Sequence, residues 1–131
     1  MIERPSQKWQ HRVADQEAAV AAGTLPRDQA YAAELWPADA TAAIDVTLAA
    51  YEQEIESLPT VPDEAAWAAV ERVVLALNAI DEEAAMIETG EREELCEHID
   101  AVLTAAGVDV AALTARRNLD RGELTDGWRD W

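Results

Sequence analysis

Phenylalanine is absent from the 131 residues, cysteine occurs once, and no apolar run is long. The lone Cys96 excludes an internal disulfide framework and any zinc or iron–sulfur site that needs several cysteines. A membrane-spanning helix needs about 20 consecutive apolar residues, so the sequence argues against an integral membrane protein. The first residues have no hydrophobic stretch behind their charges, so we expect no secretory signal and a cytoplasmic protein.

Basic residues are scarce as well, at ten against 27 acids, which gives a formal net charge of −17. The excess lies in residues 28–115, which hold twenty acids but only Arg72 and Arg92, whereas residues 1–27 and 116–131 are close to neutral. This charge argues against direct binding to nucleic acid or to an anionic membrane. It also opposes compactness through self-repulsion, which a basic partner or cations would relieve.

The spacing of the apolar residues is helical throughout, and 28 alanines supply good helix-forming material. A helix over about 38–58 has its apolar residues at alternating steps of four and three, and the next helix continues that spacing from Pro62 or Asp63 to Ile87. Short connectors favour antiparallel packing of neighbouring helices. The sequence therefore predicts one all-α domain over residues 1–131, a compact bundle of about four principal helices plus short extra helices.

Polar and glycine residues mark the expected helix ends. Ser6 is a candidate N-cap of the first helix, and Gly23 is a suitable residue just past its end. Thr89 is the candidate N-cap of the fourth long helix, whose buried face extends to Ala106 and which Gly107 terminates. A short helix is expected to start at Asp109.

Five tryptophans and no phenylalanine make the aromatic residues informative. Trp9 and Trp67 lie on the apolar faces of their helices, so we expect both inside the core. Trp128 and Trp131 stand in a C-terminal tail over about 118–131. Two large rings there indicate either docking of the tail on the bundle or an exposed anchor for a partner.

Three further residues carry specific expectations. Asn78 lies mid-helix beside the apolar stripe, where it either borders the core or fixes helix register through a buried amide. Arg92 is the only base among residues 81–100, and we expect it to pair with Glu88 four residues earlier. Cys96 has acidic neighbours, which disfavour a reactive thiolate, so a buried or half-buried structural role is expected.

One enzyme hypothesis uses a divalent metal held by Glu94, Glu97, His98 and Asp100. Glu94 and His98 are four residues apart on one helix face, where an ion could bridge them. The competing interpretation is that Glu94 and His98 form an exposed, solvated pair.

The spacing of Glu97 and Asp100 resembles half of the metal-binding pattern of all-α nucleotide pyrophosphohydrolases. The other half needs a third glutamate after Glu82 and Glu83, where this chain has Met86. The resemblance implies Mg²⁺-dependent hydrolysis, and the missing residue argues against it.

A second resemblance rests on four stretches: Leu75-Ala-Leu-Asn78, Ile87 to Cys96, Ala105 to Asp109, and Leu124 to Trp131. In these stretches the chain resembles small acidic actinobacterial proteins with no assigned activity. In size and charge it is also similar to bacterial immunity proteins, which neutralise a cognate toxin by binding it. This resemblance implies a binding role and transfers no functional residue.

The preferred hypothesis is a non-catalytic, immunity- or antitoxin-like protein that binds a basic protein partner, such as a toxin, through its acidic segment, residues 81–100. It requires no cofactor. A homodimer stays open, because the apolar seam from Ile44 to Leu58 could pair within or between chains. Halophile-type acidity of an ordinary bundle is a third reading, consistent with Lys8 as the only lysine. The predicted partner-binding residues are Asp81, Glu82, Glu83, Glu88, Glu91, Glu94, Glu97, Asp100, Trp128 and Trp131.

Overall fold

The computed structural model describes residues 2–131, and within them there are helices and turns but no strand. Four long helices form the body of the fold, which confirms the predicted all-α bundle. No helix in this part of the chain combines the length and the apolar character needed to cross a membrane. The helices are α1 (Pro5–Ala21), α2 (Ala32–Leu35), α3 (Ala38–Glu56), α4 (Asp63–Ala84), α5 (Thr89–Ala105) and α6 (Val110–Ala115), with 3-10 turns at Arg27–Gln29 and Arg121–Glu123.

The hairpin of α3 and α4 is the most extensive helix pair, and α1 and α5 pack against α3. The predicted seam of α3 is buried, at Ile44, Leu48, Tyr51 and Ile55. The Tyr51 hydroxyl donates a hydrogen bond of 2.7 Å to the backbone carbonyl of Ile99 in α5. This bond gives the buried hydroxyl a partner and joins α5 to α3.

Glycines end α1 and α5 as expected. Gly23 and Gly107 have φ of +77° and +90°, in the left-handed region that glycine enters without steric cost. After each glycine, the next N–H donates to a carbonyl one turn back, Thr24 to Ala19 and Val108 to Leu103, both at 3.0 Å. These bonds satisfy helix-end carbonyls that would otherwise lack donors.

The predicted N-cap of α1 is wrong. The helix begins at Pro5, where a missing N–H costs nothing, so Ser6 lies inside the first turn. Its side chain is fully buried, and its hydroxyl donates a hydrogen bond of 2.8 Å to Asp45 of α3. Ser6 therefore joins α1 to α3 instead of capping its own helix.

Helix α4 also ends earlier than its apolar spacing predicts. Ala85 takes a left-handed conformation with φ of +48°, and the Asp81 carboxylate accepts the N–H groups of Met86 and Ile87 at 2.9 and 2.8 Å. Ile87 is buried, but it lies in the connector and not on the helix.

The start of α5 differs from the prediction in the same way. The residue before the helix is Glu88, whose N–H donates to the Glu91 carboxylate at 3.0 Å, so Thr89 is the first helical residue and not the N-cap. At the other end, Ala106 is exposed instead of buried, because the chain leaves the helix there. Asp109 does cap α6, accepting the N–H of Ala112 at 3.1 Å.

Two tryptophan pairs join the outer elements to the core. Trp9 stacks on Trp36 at 6.3 Å between ring centroids, and Trp67 meets Trp128 at 6.0 Å in a tilted arrangement. Trp9 and Trp67 are buried, as predicted. The guanidinium of Arg117 lies 4.1 Å from the centre of the Trp67 ring, a cation–π contact.

The C-terminal tail is docked on the bundle. The Asn78 amide donates to the Trp128 carbonyl at 2.7 Å, and its oxygen accepts the Asp130 N–H at 3.0 Å. Trp128 and Trp131 are half-buried and pack against the core. Asn78 is half-buried at the border of the core, where its side chain holds the tail.

Candidate functional site

The acidic segment contains carboxylates that are engaged within the fold. Asp81 and Glu91 accept backbone N–H groups at the ends of α4 and α5. Glu94 accepts the indole N–H of Trp9 at 3.2 Å and lies 3.6 Å from the Lys8 ammonium. These predicted partner-binding residues therefore have structural contacts of their own.

Asp100 is the most firmly held acid of the segment. Both of its oxygens accept from Arg121 at 2.7 Å, and one accepts the Thr104 hydroxyl at 3.0 Å. The hydrogen bond from Arg121 is the main reason that the pKa of Asp100 is lowered; burial acts in the opposite direction. Asp100 is thus fixed to the C-terminal region.

A second group of carboxylates has no such partner. Glu82, Glu83, Glu93 and Glu97 are exposed, and none forms a side-chain hydrogen bond or ion pair with another residue of 2–131. We call these four the unpaired carboxylates. Glu93 was not among the predicted partner-binding residues, although it lies in the same segment. Glu88 is also exposed, at the start of α5.

Four of the eight bases in the two near-neutral chain ends pair with acids of residues 28–115. Arg4 pairs with Asp45 at 2.8 Å and with Glu52 at 3.3 Å, and Arg116 pairs with Asp63 at 2.6 Å. The hydrogen bond from Arg4 lowers the pKa of Asp45, and Ser6 adds to that effect. These cations cross-link the fold, and the unpaired carboxylates receive none of them.

The expected ion pair between Arg92 and Glu88 is not formed. Arg92 makes no ion pair with any residue of 2–131, and its Nε is buried without a hydrogen-bond partner. The Arg92 N–H does donate to the Glu88 carbonyl at 2.9 Å, but Glu88 precedes the helix with extended backbone angles, so its side chain does not have the helical placement that the prediction assumed. The one base of the acidic segment therefore does not neutralise it through an ion pair.

A cleft with several charged residues in its wall lies between the start of α1 and α5. Its volume is about 420 Å³, and we call it the N-terminal cleft. Five charged side chains contribute to its walls, two of them basic and three acidic. Its lining residues are Ile2, Glu3, Arg4, Pro5, Lys8, Glu94, Glu97, His98 and Ala101.

His98 in the wall of this cleft is buried, with 4 % of its surface exposed. The expected exposed pair of Glu94 and His98 is therefore wrong: His98 contacts α3, where its Nε2 lies 3.2 Å from the Glu52 carboxylate. Burial lowers the pKa of His98, and the nearby Glu52 only partly offsets that effect. A neutral ring donates from Nε2 to Glu52, so Nδ1 carries the lone pair. Nδ1 has no hydrogen-bond partner among residues 2–131.

The four residues of the metal hypothesis do not come together. No group of three or more His, Cys, Asp or Glu side chains within residues 2–131 is arranged to hold a metal ion. His98 is directed to Glu52, Asp100 to Arg121, and Glu94 to Trp9. A divalent ion bound by this set would have to break those contacts.

Cys96 is half-buried, as predicted, with its sulfur 3.5 Å from the hydroxyl of Thr125 in the tail. It contributes to the docking of the tail and has no base within its described contacts. The half-buried Trp128 and Trp131 are likewise engaged by the bundle, so their rings are not free anchors.

Sequence reasoning missed the polar network under the N-terminal cleft. Asp45 and Glu52 are seven residues apart, and this spacing places both on one face of α3. That spacing was the only available signal. The partners Arg4 and His98 lie 41 to 48 residues away in sequence, so their convergence depends on how the helices pack.

Comparisons with known proteins assign no family to this chain. No protein-family model matches it, and neither a curated protein nor a solved structure gives a match. Function is therefore inferred from the chemistry of residues 2–131.

Proposed function

We propose that this chain is a non-catalytic binding protein, of the immunity or antitoxin kind, and that it binds a basic protein partner. The observation that supports the proposal is the set of four unpaired carboxylates. They stand exposed in a molecule that uses seven of its ten bases in ion pairs elsewhere. The partner supplies the cations that the chain itself does not direct to this surface.

The physical advantage of such a surface lies mainly in encounter and selection. Opposite charges on two proteins raise the association rate and disfavour partners of like charge. Binding also relieves the repulsion among carboxylates that no internal cation neutralises. If the partner is a nuclease, the unpaired carboxylates occupy places that nucleic-acid phosphates would take.

Affinity requires buried apolar contacts in addition to charge. Because Trp128 and Trp131 are docked on the bundle, those contacts come from other side chains. Tyr31, Leu35, Val46 and Leu75 are large apolar side chains that are each at least 48 % exposed. Leu75 lies on α4, the helix that also carries Glu82 and Glu83.

The test compares two variants of equal charge. The first changes the unpaired carboxylates Glu82, Glu83, Glu93 and Glu97 to glutamine. The control neutralises four exposed acids that have no side-chain bond or ion pair within residues 2–131, and it leaves the acidic segment intact. Its changes are Asp15→Asn, Glu34→Gln, Glu56→Gln and Glu71→Gln.

Both variants and the original chain are immobilised and used to capture proteins from the cells that produce it. We expect the original and the control to retain one basic partner, which high salt releases, and the first variant to lose it. Equal capture by all three proteins, or capture that salt does not weaken, would contradict the proposal.

A further inference from the structure

His98, in the wall of the N-terminal cleft, has a buried hydrogen-bond acceptor that no residue of 2–131 uses. His98 is more than nine-tenths buried, and its Nε2 is committed to Glu52. Its Nδ1 is itself buried, so a ligand in the cleft reaches it only when the side chains that cover it move. Buried polar atoms in folded proteins nearly always have a partner. The missing partner is a donor, because the neutral ring presents a lone pair at Nδ1.

The charges around the cleft favour a cation. Glu3, Glu94 and Glu97 line it, and the two bases that also line it have acidic partners. Arg4 is held by Asp45 and Glu52, and Lys8 lies 3.6 Å from Glu94 with about half of its side chain exposed. Glu97 has no partner among residues 2–131. The site therefore offers uncompensated negative charge beside an unused acceptor.

We propose that the N-terminal cleft binds an organic cation with N–H donors, an ammonium or guanidinium group, which donates to Nδ1 of His98 and is balanced by Glu97. A cleft of about 420 Å³ has room for such a group, since a water molecule in the liquid occupies about 30 Å³. A bare metal ion fits less well, because no three His, Cys, Asp or Glu side chains of residues 2–131 converge there to hold one.

Such a cation can come from one of two sources. It is either a free amine or guanidine, or the side chain of a lysine or arginine on a protein. The protein source rests on the function proposed above, because Glu97 belongs both to the cleft and to the unpaired carboxylates. The free source does not depend on that function.

The probes are two monovalent cations that differ in hydrogen bonding. Methylguanidinium carries N–H donors, whereas tetramethylammonium carries none. The ¹⁵N resonances of the His98 ring are followed during titration of the labelled full chain at a pH where the ring is neutral. We expect methylguanidinium to shift the Nδ1 resonance to a plateau and tetramethylammonium to leave it in place. Equal shifts with both cations, or no saturation with either, would overturn the proposal.

A matched pair of variants tests whether Glu97 is the carboxylate that balances the cation. Glu93 and Glu97 are exposed on the same helix, but only Glu97 lines the cleft. We expect Glu97→Gln to weaken methylguanidinium binding about threefold to fivefold, the upper part of the range for a solvent-exposed ion pair, and Glu93→Gln to leave it nearly unchanged. An equal loss in the two variants would show diffuse attraction and overturn the site. Both substitutions are on the surface, so the fold is retained.

The same resonance distinguishes the two sources and separates this proposal from the previous one. A shift of Nδ1 on adding the captured basic partner, abolished by prior saturation with methylguanidinium, assigns the site to a protein side chain. Saturable methylguanidinium binding without any partner-induced shift assigns it to a free cation. If partner capture fails while methylguanidinium still saturates the cleft, the proposed function is wrong and the cation site in the cleft is retained.

Discussion

Two adjacent sides of α5 use the same chemistry in different ways. On one side, Glu94 and His98 contact Trp9 of α1 and Glu52 of α3. On the next side, Glu93 and Glu97 have no side-chain partner within residues 2–131, although Glu97 lines the same cleft as Glu94 and His98. A shift of one residue rotates a side chain by about 100° around a helix, and on α5 this rotation decides whether a carboxylate cross-links the fold. Acidity alone therefore does not identify a binding surface; the proposal concerns only those exposed acids of residues 81–100 that the fold leaves without a cation.

The largest loss of stability is expected from Trp9→Ala, which removes the α1 side chain that Glu94 contacts. The ring is 1 % exposed, stacks on Trp36 and donates to Glu94, so its loss leaves a cavity and an unused carboxylate. We expect the free energy of unfolding to fall by about 3–5 kcal/mol in a urea titration. Trp9→Phe is the control, because it keeps most of the packing and removes the indole donor. An equal loss for both variants would mean that packing area contributes little here.

The second test concerns the protonation of His98. Its pKa is lower in the folded chain than its ordinary value of 6.5, mainly through burial, so the unfolded chain binds more protons just below that pH. The stability that this difference provides is present above pH 6.5 and is lost as the pH falls towards the folded pKa. We expect His98→Gln to flatten the decline of the unfolding free energy over this range. His11→Gln, at a residue with a 76 % exposed side chain, is the control and should keep the slope.

A third test compares two carboxylates of α5 directly. Asp100 is held bidentately by Arg121, so we expect Asp100→Asn to lower the unfolding free energy by about 0.5–1 kcal/mol. Glu97→Gln should change it by less than about 0.5 kcal/mol. Chemical denaturation of both variants under one set of conditions measures the difference. Equal destabilisation would show that Glu97 also has a structural contact.

The ion pair of Asp100 with Arg121 should also make the stability of the fold depend on pH in acid. The pKa of Asp100 is lowered by its hydrogen bond from Arg121, so the stability from this pair is present above about pH 4, near the ordinary pKa of an aspartate, and is lost as the pH falls through the folded pKa. Asp100→Asn should remove that part of the acid sensitivity.

The smallest expected effect is that of salt on stability. Added KCl screens repulsion among exposed carboxylates and should raise the melting temperature modestly. The variant with all four unpaired carboxylates changed to glutamine should show a smaller rise. A steep rise that is identical in both proteins would favour general adaptation to high salt over a dedicated binding surface.

Much of the fold was readable from sequence because it depends on local periodicity. The spacing of Ile44, Leu48 and Tyr51 predicted the buried face of α3, and Gly23 and Gly107 predicted the ends of two helices. The predicted caps failed where another local contact prevailed. Pro5 moved the start of α1 ahead of Ser6, and Glu91 accepted the N–H of the residue before Thr89.

The candidate site was less predictable because its contacts are distant in sequence. Glu94 and His98 were correctly placed on one helix face, but sequence spacing does not tell which neighbouring helix that face meets. The burial of His98 follows from Glu52, which lies 46 residues away on α3. The role of Asn78 depends in the same way on a tail that lies 50 residues further along the chain.

If a basic partner binds the unpaired carboxylates, its affinity depends on them and on salt. The dissociation constant of the captured partner is measured by calorimetry over a series of KCl concentrations. We expect steep weakening with salt for the original chain and for the control with changes at Asp15, Glu34, Glu56 and Glu71. We expect weaker binding and a shallower salt dependence for the variant with changes at Glu82, Glu83, Glu93 and Glu97. Two variants with the same affinity and the same salt dependence would contradict the proposal.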